Sequence, residues 1–123
     1  MKIEKFEDIE AWKEARNLVN MVYEISGEGE FDRDFGLRDQ VRRASVSIMS
    51  NIAEGFDRGS DKEFTQFLVM ARASASEVKS HLYVALDRKY LNENEFKMIY
   101  EQANKVVSLI DGFIRYLKKR RRT

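Results

Sequence analysis

Seven apolar residues, Phe64, Leu68, Ala71, Ala75, Val78, Leu82 and Ala85, follow one another at spacings of four, three, four, three, four and three. A strand would turn every second residue inward. This spacing instead keeps one stripe of an α-helix apolar, and it is the seam spacing of helices that pair at a shallow left-handed angle. The seam opens on Ser60, Asp61, Lys62 and Glu63, a Ser-x-x-Glu capping box in which each side chain is placed to satisfy the other residue's orphan amide. A long amphipathic helix gains most of its stability from burying that stripe, so the sequence calls for other helices to pack on it.

Glycines and capping residues divide the chain into four such segments. A first helix is expected over roughly 7–26, with Ala11, Ala15, Leu18, Val22 and Ile25 as its stripe, widened by Trp12 and Val19. A loop over 27–32 leads to a second helix, whose start is blurred by Gly36 and whose end is set by Gly55 and Gly59. That helix carries two stripes, Leu37, Val41, Ala44, Ile48 and Ile52, and Val46, Met49, Ala53 and Phe56. The fourth helix opens on a second capping box, Asn92 to Glu95, with Phe96, Ile99, Ala103, Val106, Ile110, Phe113 and Leu117 as its seam. Tyr100, Val107 and Ile114 flank it, a face wide enough for two neighbouring helices or for another subunit. Gly112 is expected to permit close packing inside that helix, and Ser45, Ser47, Ser50, Ser74 and Ser76, with Ala44, Ala71, Ala73 and Ala75, to let the second and third helices approach. Short connections make successive helices antiparallel neighbours. The expected fold is all-α, an antiparallel up-down-up-down four-helix bundle. It occupies residues 1–123 as a single domain, with a short N-terminal arm at 1–6, read as a clip held by Ile3 and Phe6, and a basic C-terminal tail at 118–123.

At 123 residues there is room for one domain and no second. The absence of proline leaves long helices unbroken, and the absence of cysteine removes disulfides, thiolate nucleophiles and sulfur-ligated metals together. Apolar runs stop at five residues, far short of the roughly 20 a bilayer span needs, and the N-terminus has no hydrophobic signal core, so the cytoplasm is the expected compartment.

Catalytic constellations are missing. His81 is the only histidine, so a bundle di-iron site cannot be assembled, and its spacing of four from Glu77 reads as an ordinary helical pair. No Gly-x-Ser-x-Gly turn occurs. The stretch Gly55, Phe56, Asp57, Arg58, Gly59, Ser60 lacks the lysine of a phosphate loop and follows a helix rather than a strand. Acid pairs such as Glu10 with Glu14 lie on solvated faces. The expectation is a protein that is not an enzyme, takes no cofactor or metal and has no small-molecule substrate.

Charge distribution carries the functional signal. The sequence has 22 Lys plus Arg against 21 Asp plus Glu, but six of the cations fall within 115–122, leaving 16 basic against 21 acidic residues elsewhere. Two clusters stand out: Arg38, Arg42 and Arg43 within little more than one helical turn, and Arg115, Lys118, Lys119, Arg120, Arg121 and Arg122 at the C-terminus. Such clusters bind phosphates through counterion release, which makes affinity fall steeply with salt. Local roles compete with this reading: pairing of Arg43 with Asp39, an interface position for Arg42, and complementation of the helix dipole by the tail. Five consecutive cations exceed what that last role requires.

Read as a block, Gln40, Val41, Arg42, Arg43, Ala44, Ser45, Val46, Ser47 and Ile48, then Ser50, Asn51, Ile52, Ala53, Glu54 and Gly55, resembles the four-helix-bundle proteins named for intervening sequences of 23S ribosomal RNA genes. That family is structurally similar to the accessory variability determinant of diversity-generating retroelements. The 6–12 opening, the segment from Arg58 to Phe64 and the Tyr90, Leu91 turn fit the same pattern. Met49 stands where the pattern usually has proline, which removes the reason to expect a kink in the second helix. The resemblance implies an up-and-down bundle assembling as a homopentameric ring; in the retroelement relatives such a bundle binds a reverse transcriptase and nucleic acid, whereas most ordinary members have no settled activity. The sequence reading is therefore a non-catalytic oligomeric adaptor that binds RNA or a nucleic-acid enzyme through basic surfaces. The alternative is a protein-interaction scaffold without nucleic-acid binding.

Overall fold

The computed structural model describes residues 2–121, the last without its side chain; Arg122 lies outside the described residues. A single 3₁₀ turn, Phe6–Asp8, precedes α1 (Glu10–Ser26), α2 (Gly29–Arg33), α3 (Phe35–Asp57), α4 (Asp61–Asp87) and α5 (Glu93–Arg121). The four long helices close a ring in which α3 packs on α1 and α4, and α5 packs on α4 and α1. Cross-helix pairs show the antiparallel order. Asp61 meets Arg120, Arg72 meets Asp111 and Lys79 meets Asn104, so numbers rise along α4 as they fall along α5. No helix among the described residues is long and apolar enough to cross a membrane.

The expected seams form the core. All seven residues of the α4 seam are buried, as are Leu37, Val41, Ala44, Ile48 and Ile52 of α3 and Ala11, Ala15, Leu18 and Val22 of α1. On α5, Ile114 is buried and Tyr100 and Val107 are half-buried against the core, so this chain's own two neighbouring helices take up the wide face. α3 and α4 meet through small residues, with the hydroxyls of Ser47 and Ser74 hydrogen-bonded at 3.0 Å. Ser50, Ala73 and Ser76 are instead exposed and take no part in that approach.

Several local expectations are corrected. The first helix begins at Glu10, because residues 6–8 form a 3₁₀ turn whose Asp8 carboxylate accepts the backbone N–H groups of Glu4 (3.0 Å) and Lys5 (3.2 Å). Those bonds hold the Asp8 carboxyl below its ordinary range, the Glu4 amide contributing most. The arm is a clip: Ile3 and Phe6 pack against the core, and Phe6 meets Trp12 edge-on at 5.2 Å between ring centroids. The expected loop over 27–32 holds α2, which buries Phe31 beside Tyr90, ring centroids 5.5 Å apart. Asp34 then caps α3 by accepting the Leu37 N–H (3.1 Å) and also accepts the Tyr90 hydroxyl (2.9 Å), tying the α2–α3 corner to the α4–α5 turn.

Gly55 does not end its helix but lies within α3, buried. A Cβ there would stand 2.6 Å from the Phe67 Cβ and 2.9 Å from Phe64 Cδ1, so glycine is what lets α4 begin its return this close. Gly59 makes the turn itself at φ +82°. Gly112, expected at a tight crossing, faces open space: a Cβ added there would meet only the Arg115 guanidinium, at 3.7 Å.

The Asn92 box is complete, Glu95 N–H to Asn92 Oδ1 at 2.8 Å and Asn92 N–H to Glu95 Oε1 at 2.9 Å. The Ser60 box is half made. Ser60 Oγ accepts the Glu63 N–H (3.1 Å), but the Glu63 carboxylate accepts a hydrogen bond from the Ser60 hydroxyl (3.2 Å) instead of from the Ser60 amide.

Candidate nucleic-acid interface

The two cationic clusters occupy different helices and behave differently. On α3, Arg38 is held by its surroundings: Nη1 donates to the Asp32 carbonyl (2.9 Å) and carboxylate (3.1 Å), Nε donates to Asp39 (3.0 Å), and the guanidinium lies 4.9 Å over the Phe35 ring. Asp39 first, and then Asp32, raises its pKa further above the ordinary arginine value. Asp39 is thus engaged by Arg38, not by Arg43 as the sequence suggested. Arg42 sits over the end of α1. Its Nε donates to the buried Ser26 hydroxyl (2.7 Å), its Nη2 reaches the Tyr23 carbonyl (3.4 Å), and its guanidinium stacks 4.6 Å over the Tyr23 ring. A cation there adds a donor to the Tyr23 carbonyl, which otherwise accepts only a long bond from the Ser26 hydroxyl (3.5 Å) among side chains, and it complements the α1 dipole. Only Arg43 of the three is exposed; it borders an open cleft lined also by Tyr23, Asp39, Arg42, Val46, Ser47 and Ser50.

On α5 the order is reversed. Arg120 is pinned to Asp61 in the first turn of α4 through Nη2 (2.5 Å) and Nε (2.8 Å), with a weaker bond to the Tyr116 hydroxyl (3.3 Å). The Asp61 hydrogen bonds push its pKa further up. Arg115, Lys118 and Lys119 are exposed, and spacings of three and four set them on one face of the helix. None of the three has an ion pair among the described residues. The nearest preceding acid, Asp111, is occupied by Arg72 at 2.6 Å. The side chain of Arg121 and the whole of Arg122 lie outside the described residues.

Among the described residues no contact brings the α3 arginines together with the α5 cations, since α3 and α5 lie on opposite corners of the ring. The structure does add two cations to the α5 end. The Asp61–Arg120 pair places the start of α4 beside the end of α5, bringing in exposed Lys62, while exposed Arg58, its guanidinium 4.9 Å over Phe67, precedes it in the α3–α4 turn. Linear sequence hid them because 58 and 62 are far from 115 in number and each stands beside an acid.

A sequence profile described as 23S rRNA-intervening sequence protein matches residues 7–112. The chain belongs to that family. The matched span takes in all of α1 to α4 and most of α5 and stops before the cationic end, so Arg115 and the lysines beyond it lie outside the matched residues. A solved structure from Bacteroides thetaiotaomicron, described as a protein with unknown function from the S23 ribosomal protein family, has the same fold. It superposes with a TM-score of 0.77 at 19% identity, covering 85% of this chain and 97% of that one. Among curated proteins none matches the chain.

Within this family fold, an exposed apolar face remains on α4. Val69, Met70, Tyr83 and Val84 are each more than two-fifths exposed, and between them lie exposed Ala73, Ser76 and Ser80. Val46 is exposed on α3, but Met49 and Phe56 of its expected second stripe turn partly into the core. α4 therefore carries more of the exposed large apolar side chains than any other helix, on a face whose large residues the sequence reading had not singled out. His81 is half-buried on the same helix. Among the described residues no group of histidines and carboxylates is placed to hold a metal.

Proposed function

We propose that this protein is a non-catalytic, self-associating adaptor that binds RNA, or a nucleic-acid enzyme such as a reverse transcriptase together with its nucleic acid, through the cationic end of α5. The observation that carries the reading is the face formed by Arg115, Lys118 and Lys119: three exposed cations without an internal acid, on a rigid helix fixed at its end by Arg120. Cations already paired contribute little to counterion release, whereas unpaired ones contribute fully. Arg43 is a secondary contact on the same grounds.

Self-association supports the reading by multiplying a weak site. The exposed apolar face of α4 suits a second copy, its small residues allowing close helix approach, and a closed ring such as a pentamer would present one cationic end per subunit. The relatedness to proteins named for intervening sequences in 23S rRNA is consistent with an RNA partner.

The test combines light scattering with filter binding of a structured RNA at several salt concentrations. A single oligomer, RNA retention that falls with salt, and a shallower slope in an Arg115→Gln, Lys118→Gln, Lys119→Gln variant are expected. A monomer at micromolar concentration removes the ring. No RNA retention at low salt removes the nucleic-acid reading in favour of a protein scaffold.

A further inference from the structure

The end of the bundle opposite the cationic face carries a groove of contrary character. Along the last two turns of α1, Met21, Glu24 and Ile25 line one wall, continued by Glu28 in the link to α2. The first turns of α5 bring Glu95, Met98 and Ile99 alongside, enclosing a cleft of about 220 Å³. The floor is apolar: Ile99 is buried, Met21 and Ile25 are half-buried, and Met98 stands 63% exposed with no apolar cover. The rim is acidic, with Glu24 and Glu28 on one wall and Glu95 on the other. None of the three makes an ion pair among the described residues, and no lysine or arginine lines the cleft.

We propose that this groove docks a basic amphipathic helix of a partner protein, apolar side chains at i and i+3 or i+4 seated between Met21 and Met98, lysines or arginines reaching Glu24, Glu28 and Glu95. Charge complementarity selects the partner, because an apolar floor between carboxylates rewards a segment with cations flanking its apolar stripe. Methionines on both walls fit such a segment without demanding one side-chain shape. The chain's own basic end in a second copy does not meet the requirement, since Ile114 and Leu117 are already buried in their own bundle and exposed Tyr116 is a single side chain, not an apolar stripe.

The inference rests on the adaptor reading and deepens it. About 20 residues of α5 lie between the groove at 95–99 and the cationic face at 115–119, so the two are separated by roughly 30 Å, far enough to hold a protein and a polyanion at once.

The probe is a fluorescein-labelled 18-residue peptide of leucine and lysine patterned on the helical period, with a glutamate-for-lysine peptide as control, read by fluorescence anisotropy against the full chain. The lysine peptide is expected to bind, and the control to bind at least tenfold more weakly. Met98→Lys should weaken the lysine peptide at least tenfold. Glu24→Gln with Glu28→Gln should weaken it several-fold and reduce its salt dependence. All these residues are wholly or partly exposed, and circular dichroism of each variant checks the fold. Equal binding of both peptides, or binding unmoved by Met98→Lys, overturns the proposal. So does a change of subunit number in Met98→Lys, which would make the groove a contact between copies. RNA retention measured on the same variants should stay at the wild-type level, so a failed groove and a failed RNA site are told apart.

Discussion

Arg120, in the last turn of α5, closes a two-pronged ion pair on Asp61 in the first turn of α4, at 2.5 Å and 2.8 Å. The pair latches the start of one helix to the end of its neighbour and takes one cation out of the tail that would otherwise meet a polyanion. With the Arg120 side chain 51% exposed, the latch is a surface interaction worth about 1 kcal/mol or less. Arg120→Gln should therefore shift the urea midpoint only slightly and leave the salt slope of RNA retention close to that of the wild type. A large drop in RNA affinity without a change in stability would mean that Arg120 leaves Asp61 to bind phosphate.

The unpaired face behaves differently. If Arg115, Lys118 and Lys119 each neutralise one phosphate of single-stranded RNA, converting all three to glutamine should lower the slope of log affinity against log salt by about 2 per subunit engaged. Arg43→Gln alone should lower it by less than about 1. A triple variant with the wild-type slope would place the polyanion elsewhere.

Two glycines in helix interiors should respond to alanine with opposite signs. At Gly112 the new methyl meets only a mobile guanidinium at 3.7 Å, so Gly112→Ala should gain up to about 1 kcal/mol from helix propensity. At Gly55 the methyl would lie 2.6 Å from the Phe67 Cβ, whose position is set by the α4 backbone, and overpacking of this kind costs about 1–3 kcal/mol. Urea titration of the two variants checks the signs directly.

The same pair of glycines marks where the sequence stopped being readable. Periodicity exposes residues that repeat, so the apolar seams of α1, α3 and α4 could be read from spacing, while buried Ser26 and Thr65 fell outside them. Gly55 and Gly112 carry no such repeat, and what separates them is the distance to Phe67, a property of the α3–α4 approach. Phe31 escaped for a related reason: a lone aromatic in a five-residue helix has no period, and its partner Tyr90 is 59 positions away. At the candidate interface, residue type marked the clustered cations but not their neighbours, and it passed over Arg58 and Lys62, which only the fold brings to the α5 end. Arg42 over Tyr23, Arg38 between Asp32 and Asp39, and Arg120 on Asp61 look in sequence the same as Arg115 or Lys118. Whether a cation is available depends on which acid or carbonyl the fold sets beside it.

Glu14 offers a test of that dependence through pH. Its carboxylate links α1 to α5, accepting the Gln102 amide at Oε1 (2.9 Å) and pairing with Lys105 at Oε2 (3.4 Å), while Asn17 donates along its own helix (3.2 Å). The Gln102 bond above all, then Asn17 and Lys105, holds its pKa below the ordinary glutamate range. A carboxyl whose pKa is lowered by folding adds stability at pH values above its unfolded pKa, near about 4.3, and loses it as pH falls through the lower folded value. Glu14→Gln should therefore be less stable than the wild type at pH 7, with the gap closing as pH drops below about 4. The neutral amide can still accept from Gln102, so the gap measures the charge and not the hydrogen bond alone. Urea midpoints of both proteins at about pH 7, 5, 4 and 3 provide the check, and a gap that stays constant across that series would show that the charge on Glu14 contributes nothing to joining α1 and α5.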